Sequence, residues 1–444
     1  MSSTLAAGAG LDFTLAQQLT VIALCALTAY ISHMALAVFN DGVRPFLLDF
    51  IQGRTTRSAT TAVSFGLSAG FIFGLGAPMA LSTGVLNPWL VFLPTDILGM
   101  LAPKKWLAPI LGGAWGAVVV FGLNGANDVA HDLPVDFITA MQQMSTPILF
   151  LFTLFPVLAI TKQFGRKWGG VAGGLELALV VLTMRLWPKM FAGALAMAVG
   201  VLMLIALAVA KDMKQRKADK EAGVTAIVLD DDPMASLFSA SAARLRRHLP
   251  LFMVLGAGVC VLAQMHIFGG GEATSFLIAK GQYTEAAQVD FYRVFGFIPL
   301  IATTALASGA YGIAGFTLVY PIGYLMPNPF LAAIVGAVVF ALEVLALSSI
   351  GKVLGKLPSV RDSSEHLRSA IGDTLQLAIL FGSLMAANAM GGGLGILVVG
   401  GLYLLNDAMG RPVVRMAAAP AAVIVGGILL NVLYWLDLFT PIKG

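Results

Sequence analysis

Apolar runs long enough to cross a bilayer recur along nearly the whole of this 444-residue chain, and no other feature restricts its fold as severely. Inside hydrocarbon every backbone amide must find its partner within the protein, so a spanning chain is built from helices or from a closed barrel. The runs approach the ~20 residues of a spanning helix and exceed a barrel strand. Charged residues make up 11% of the sequence and hydrophobic ones 58%, with a mean hydropathy of +0.87. Soluble domains carry roughly 25% charged residues. The expected fold is therefore all-α: a polytopic integral membrane protein.

A hydropathy pass predicts about 14 membrane segments. They lie near 14–38, 60–81, 84–101, 107–126, 146–162, 168–187 and 190–210, then near 249–268, 290–311, 313–326, 329–350, 370–388, 392–406 and 416–437. Three regions follow: a first membrane repeat (1–210), a charged linker (211–247) and a second membrane repeat (248–444). The net charge of +4 does not point to nucleic acid, because the basic residues are scattered over short connections and read as topology signals. Placing the linker in the cytoplasm puts the loops bearing Arg54, Lys104, Lys162 and Lys352 inside and the acidic loop around Asp132 outside. Only the loop with Arg185 and Lys189 disagrees. Both termini are then expected in the periplasm. The first apolar run has no basic segment before it and reads as a retained helix. Cys25 and Cys260 lie inside apolar runs and offer no disulfide framework or thiolate metal site.

The two sets of segments resemble each other. "ALSTG" at Ala80 returns as "ALASG" at Ala305, Pro94 as Pro321, "LAPILGGAWGAVVV" at Leu107 as "LAAIVGAVVF" at Leu331, and "LP" at Leu133 as "LP" at Leu357, in one order and at nearly one spacing. If each copy crosses the membrane seven times, the odd number turns the second copy upside down, giving an inverted 7+7 repeat. Such repeats underlie alternating access, with the solute held near the midplane on interrupted helices. The expected interrupted segments, spanning or re-entrant, are "LNPWLVFLPTDILGM" and "GFTLVYPIGYLMPNP". In each a proline removes a backbone donor, which is tolerated at membrane depth only beside protein or a water-filled cavity.

Asp96 follows the first of these prolines, where water, a cation or a helix N-terminus can hold its charge. It is the leading candidate for solute or coupling-ion binding, together with Thr95, Pro94, Asn87, Ser82, Thr83, Thr303, Thr304, Ser308, Tyr320 and Pro321. The alternative is that Asp96 caps a helix near the interface. The second copy has Ile322 or Gly323 at the matching place, so the expected site is asymmetric. Glu176 and Glu343 are embedded carboxyls, each either a proton carrier or a hydrogen-bonded helix contact. Asp373, Gln376, Asn388, Asn431 and His266 are further polar residues at depth. "FNDGVRP" and "LNDAMGRP" place Arg44 and Arg411 at cytoplasmic ends, in tight interfacial turns or as anion contacts. The five histidines are dispersed, without an HExxH pattern. No catalytic residue, metal or cofactor is expected.

The stretches "VFNDGVRP", "FLPTDILG", "FIPLIATTALASG", "LNDAMGRPVVRMAA" and "GILLNVLYWLDLF" resemble the YhfT family of bacterial inner-membrane proteins, along nearly the whole chain. The resemblance implies a bacterial inner-membrane transport protein and brings no binding residues with it. "FIQGRTTRSATTAVSFGLSAGF" is also similar to membrane subunits of galactitol-type phosphotransferase permeases. The expected function is alternating-access transport of a small polar solute, anions included, by elevator or rocking movement. The alternatives are a phosphotransferase-type membrane subunit that needs soluble partners, a membrane-embedded enzyme, and a channel. Candidate partners besides solute and lipid are a second copy of the chain and soluble proteins encoded alongside it.

Overall fold

The computed structural model describes residues 11–40, 43, 49–50, 53–72, 76–188, 192–221, 242–291, 311–312, 318–355, 357–413 and 415–441. These are overwhelmingly helical. Among the described residues six helices are long and apolar enough to cross a membrane. Their outward faces carry large apolar side chains such as Leu177, Val181, Phe121 and Leu397, a surface that suits lipid rather than water. The protein is an all-α membrane protein.

Helix α1 (Leu15–His33) opens on a reciprocal cap: the Thr14 hydroxyl accepts from Gln17 N and the Gln17 side chain accepts from Thr14 N. The chain then turns through Ala35, whose φ is +54°, into the two-residue strand β1 (Ala37–Val38). Helix α2 (Arg57–Phe71) is followed by a set of short pieces: α3 (Ala77–Thr83), α4 (Pro88–Val91) and α5 (Leu93–Leu101). Proline or glycine punctuates each of them. Gly84 closes α3 with φ +70°, Asn87 caps α4, and Pro94 falls in the first turn of α5, where its missing N–H costs least. Helix α6 (Leu107–His131) runs back beside α1.

Next come α7 (Phe137–Met141), α8 (Ser145–Phe152), α9 (Phe155–Phe164), α10 (Arg166–Leu186) and α11 (Ala192–Glu221). The charged stretch expected as linker from residue 211 is thus helical as far as Glu221. Its Asp212 is buried and accepts Ser359 N at 3.0 Å, placing a negative charge at a helix start. Residues 222–241 lie outside the described part.

The remaining elements are α12 (Leu249–Gln264), α13 (Glu272–Ala279), a helical stretch at 283–291, β2 (Tyr311–Gly312), α14 (Val319–Tyr324), α15 (Pro329–Gly355), α16 (Pro358–Ala408) and α17 (Arg415–Trp435). Helix α16 is kinked at Gly391 and Gly392, the latter with φ +55°, between the two segments expected at 370–388 and 392–406. Most of the segment expected at 290–311 lies outside the described residues.

Packing divides these helices into groups. One core joins α1, α4, α5 and α12 with Tyr320 of α14 and Phe340 of α15. A second joins α7, α16 and α17, and a third joins α9, α10 and α11.

Candidate functional site

The first core is threaded by two short parallel strand contacts between distant parts of the chain. β1 pairs with β2, Ala37 opposite Tyr311 and Val38 opposite Gly312. Leu86 bridges Phe268 in the same sense: Leu86 N donates to Ile267 O at 2.8 Å, and Gly269 N donates to Leu86 O at 2.9 Å. The segments that follow α1 and α12 each reach this crossing through one residue with positive φ, two positions past the helix end. These residues are Ala35 (+54°) and His266 (+57°).

Asp96 sits in the first turn of α5 with no solvent exposure. Its Oδ2 accepts Phe39 N at 2.7 Å and Asn40 N at 3.0 Å, and its Oδ1 accepts the Ser32 hydroxyl at 2.6 Å. The Asn40 amide in turn donates to Ser68 Oγ at 3.0 Å. The carboxylate therefore ties the end of α1 and the exit of β1 to the start of α5. Two backbone N–H donors and a hydroxyl are spent on it within the protein, so it is more than a cap on its own helix.

A second buried carboxylate, Asp290, completes a matching arrangement. Its Oδ1 accepts Thr274 Oγ1 at 2.9 Å and its Oδ2 accepts the Tyr324 hydroxyl at 2.7 Å, while Gly270 N donates to that hydroxyl at 2.7 Å. Gly270 has no room for a side chain, since a Cβ there would overlap Asp290 Oδ2. His266 stacks on Tyr283 at 3.6 Å between ring centres, and its Nε2 lies 3.1 Å from Tyr324 O. Between the two carboxylates run the rings of Phe39, Phe92, Phe268 and Tyr320, with successive centres 4.5, 5.4 and 5.5 Å apart.

The other expected site residues fall in different places. Asn87 is buried, holds Gly76 O through its amide at 2.8 Å and accepts Leu90 N at 3.0 Å. Thr95 donates to Phe92 O, Thr83 and Ser82 to Met79 O; all three close turns of the local backbone. Pro94 stands at a helix start, whereas Pro321 lies within α14 beside the fully buried Tyr320. Glu343 of α15 accepts Leu318 N at 2.8 Å and so holds the start of α14. Glu176 lies apart, in the third core's α10. Arg411 is engaged with Asp407 at 2.6 Å, and Arg415 shares the same carboxylate at 3.0 Å; this is a charge-paired turn rather than an open anion contact. Thr303, Thr304, Ser308 and Arg44 lie outside the described residues.

Ser32, Asp290, Tyr324 and Thr274 were not among the expected residues. Asp290 opens an apolar run, where a carboxylate reads as interfacial, and Ser32 and Thr274 look like ordinary small residues of an apolar stretch. The pairing of each with a distant partner leaves no local trace.

Over residues 17–439 the chain matches the model of the YhfT family, described as a protein of unknown function. The chain belongs to the YhfT family. It is 40% identical over 437 residues to the uncharacterized protein YhfT of Escherichia coli (strain K12), covering 96% of this chain and 99% of that one. No solved structure matches it significantly.

Proposed function

We propose that the protein is a secondary transporter of a small polar solute, anions included, working by alternating access of two structurally equivalent halves. The reading rests chiefly on the reciprocal exchange at the strand crossing. The segment after α1 pairs with the one before α14, and the segment after α12 pairs with the one before α4. Contacts that swap in this way are the mark of a two-fold relation, in which i meets j and j meets i.

Tight helix contacts support the same relation. A Cβ on Gly99 would overlap Ala29 O and one on Gly323 would crowd Cys260 O; Gly112 meets Cys25 O and Gly336 meets Gly256 O in the same way. Ala29 and Cys260 hold one position relative to the ends of α1 and α12, as do Cys25 and Gly256. In this register Gly99 corresponds to Gly323, three residues from the register that pairs Pro94 with Pro321. The backbone N–H of Phe39 corresponds to that of Gly270; a carboxylate receives the first and the Tyr324 hydroxyl the second.

With an odd number of crossings in each half, the two-fold axis lies in the membrane plane, and exchanging the halves' conformations opens the crossing to the opposite side. We place the solute between the starts of α5 and α14. Asp96 then acts as a positioning residue, fastening β1 to α5 with its donors already supplied by the protein. The reading assigns the chain no catalytic step.

The test is counterflow. Polar solutes that raise the melting temperature of the purified protein are tried in proteoliposomes preloaded with unlabelled solute. A carrier accumulates external label transiently against the internal pool. Flux without counterflow would identify a channel, and phosphorylated solute in the presence of soluble fraction would identify a phosphotransferase subunit.

A further inference from the structure

Helix α10 packs its buried stripe, Gly169, Ala172, Glu176 and Thr183, against its neighbours α9 and α11. The contact is close: a Cβ on Gly169 of α10 would overlap the Thr161 side chain of α9, and the two neighbours themselves touch where a Cβ on Gly200 of α11 would crowd Pro156 of α9. Glu176 lies in the middle of this stripe with only 3% of its surface exposed. Its carboxyl faces Thr153, whose hydroxyl is donated to Phe150 O at 2.7 Å. Neither Glu176 oxygen has a hydrogen-bond partner among the described residues. A carboxyl that merely glued two helices together would be firmly bonded across the interface; this one meets no more than the Thr153 hydroxyl, which is already donated elsewhere. Leaving it unpaired at depth is costly even when neutral, and more so when charged.

Thr153 itself belongs to a weak point. It joins α8 to α9, and Pro156, three residues on, cannot donate the N–H that the Phe152 carbonyl would receive in a continuous helix. An unpartnered buried carboxyl thus faces the joint of an interrupted helix. The charged groups on the packed elements stand away from it. Arg166, Lys167 and Arg185 are at the ends of α10, roughly 13 to 15 Å along the axis. Lys162 of α9 is held by Asp373 of α16, and the charges of α11 begin at Lys211 and Asp212. A metal cation would require several oxygen ligands, and among the described residues no three His, Cys, Asp or Glu side chains stand together.

We propose that Glu176 is a proton-exchange site of the transport cycle, protonated in this conformation and ionised in one that opens the α8–α9 joint to water. The step is a simple transfer: the carboxyl O–H bond breaks, the proton leaves on water as hydronium, and the carboxylate regains a proton from water on the other side. The inference rests on the transport reading for its purpose but can be tested without a solute.

Full-length protein in lipid nanodiscs is treated with dicyclohexylcarbodiimide, a lipid-soluble reagent that adds to protonated carboxyls, across a series of pH values, and the adducts are located by peptide mass spectrometry. The proposal predicts an adduct on Glu176 that falls about tenfold per pH unit above its midpoint. Glu176→Gln should lose this adduct while keeping the melting temperature, and Glu176→Asp should restore a pH-dependent adduct at the same position even if the glutamine variant folds poorly. Absence of an adduct on Glu176 at every pH, or an adduct that does not vary with pH, overturns the proposal. Counterflow with an unreactive Glu176 would overturn proton exchange and leave transport standing; reactive Glu176 without counterflow would do the reverse.

Discussion

Replacing Asp96 separates its charge from its hydrogen bonds. In Asp96→Ala the Phe39 and Asn40 N–H groups, held now at 2.7 and 3.0 Å, lose their acceptor in a fully buried place. Ser32 can fall back on Ala37 O, which already lies 3.3 Å from its Oγ. Two orphaned backbone donors at about 1 to 3 kcal/mol each give a loss of roughly 2 to 6 kcal/mol. Asp96→Asn behaves differently. The amide oxygen can take the place of Oδ2 and keep both N–H bonds, and the Ser32 hydroxyl can turn to accept from the new amide N–H. Charge assistance is lost, but so is the cost of burying a charge at membrane depth, and the two offset to within about 1 kcal/mol. Melting of purified protein followed by tryptophan fluorescence should therefore rank wild type and Asp96→Asn together, with Asp96→Ala well below. Equal melting of wild type and Asp96→Ala would refute the fastening role. A drop in Asp96→Asn as large as that in Asp96→Ala would show that the charge itself is what matters.

Tyr324→Phe removes the hydroxyl that receives Gly270 N and donates to Asp290; a loss of about 1 to 3 kcal/mol is expected, read as a lower melting temperature, with Thr274→Ala costing less. Gly112→Ala and Gly336→Ala drive a methyl group into Cys25 O and Cys260 Cβ respectively; each should destabilise by about 1 to 3 kcal/mol, whereas Gly125→Ala, which meets nothing within 4 Å, should melt like wild type. Asn431→Ala strips both bonds that clamp Val135, at 2.8 Å to its N and 3.0 Å to its O, and should raise hydrogen exchange around residue 135 before it affects α1.

The helical membrane character was legible because length and apolarity speak directly to the bilayer, and the interruption near Pro94 was legible because proline leaves a backbone group without its donor. The kink at Gly391 and Gly392 fell where the apolar pattern paused. The strand crossing was not legible: two-residue strands have no periodicity, and the positive φ angles belong to Ala35 and His266, residue types that give no sign of them. In the proposed repeat the match of Pro94 with Pro321 stands three residues from the register that Gly99, Gly112, Gly323 and Gly336 set where backbone meets backbone, and which Leu107 with Leu331 and Leu133 with Leu357 share. Asp96 was singled out for its position, but its role came from partners at the end of α1 and just past β1 that lie more than fifty residues away in sequence.

The proposed inversion of the two halves is open to one direct measurement. Arg54 follows the first half's opening helix and Lys280 follows the second's, and both are exposed. With Cys25 and Cys260 replaced, single cysteines at these two positions are labelled with a membrane-impermeant maleimide in sealed vesicles of each orientation. Alternating access by inverted halves predicts that the cysteine at 54 reacts only from the cytoplasmic face and the cysteine at 280 only from the periplasmic face. Reaction of both from the same face would place the halves parallel and contradict the account.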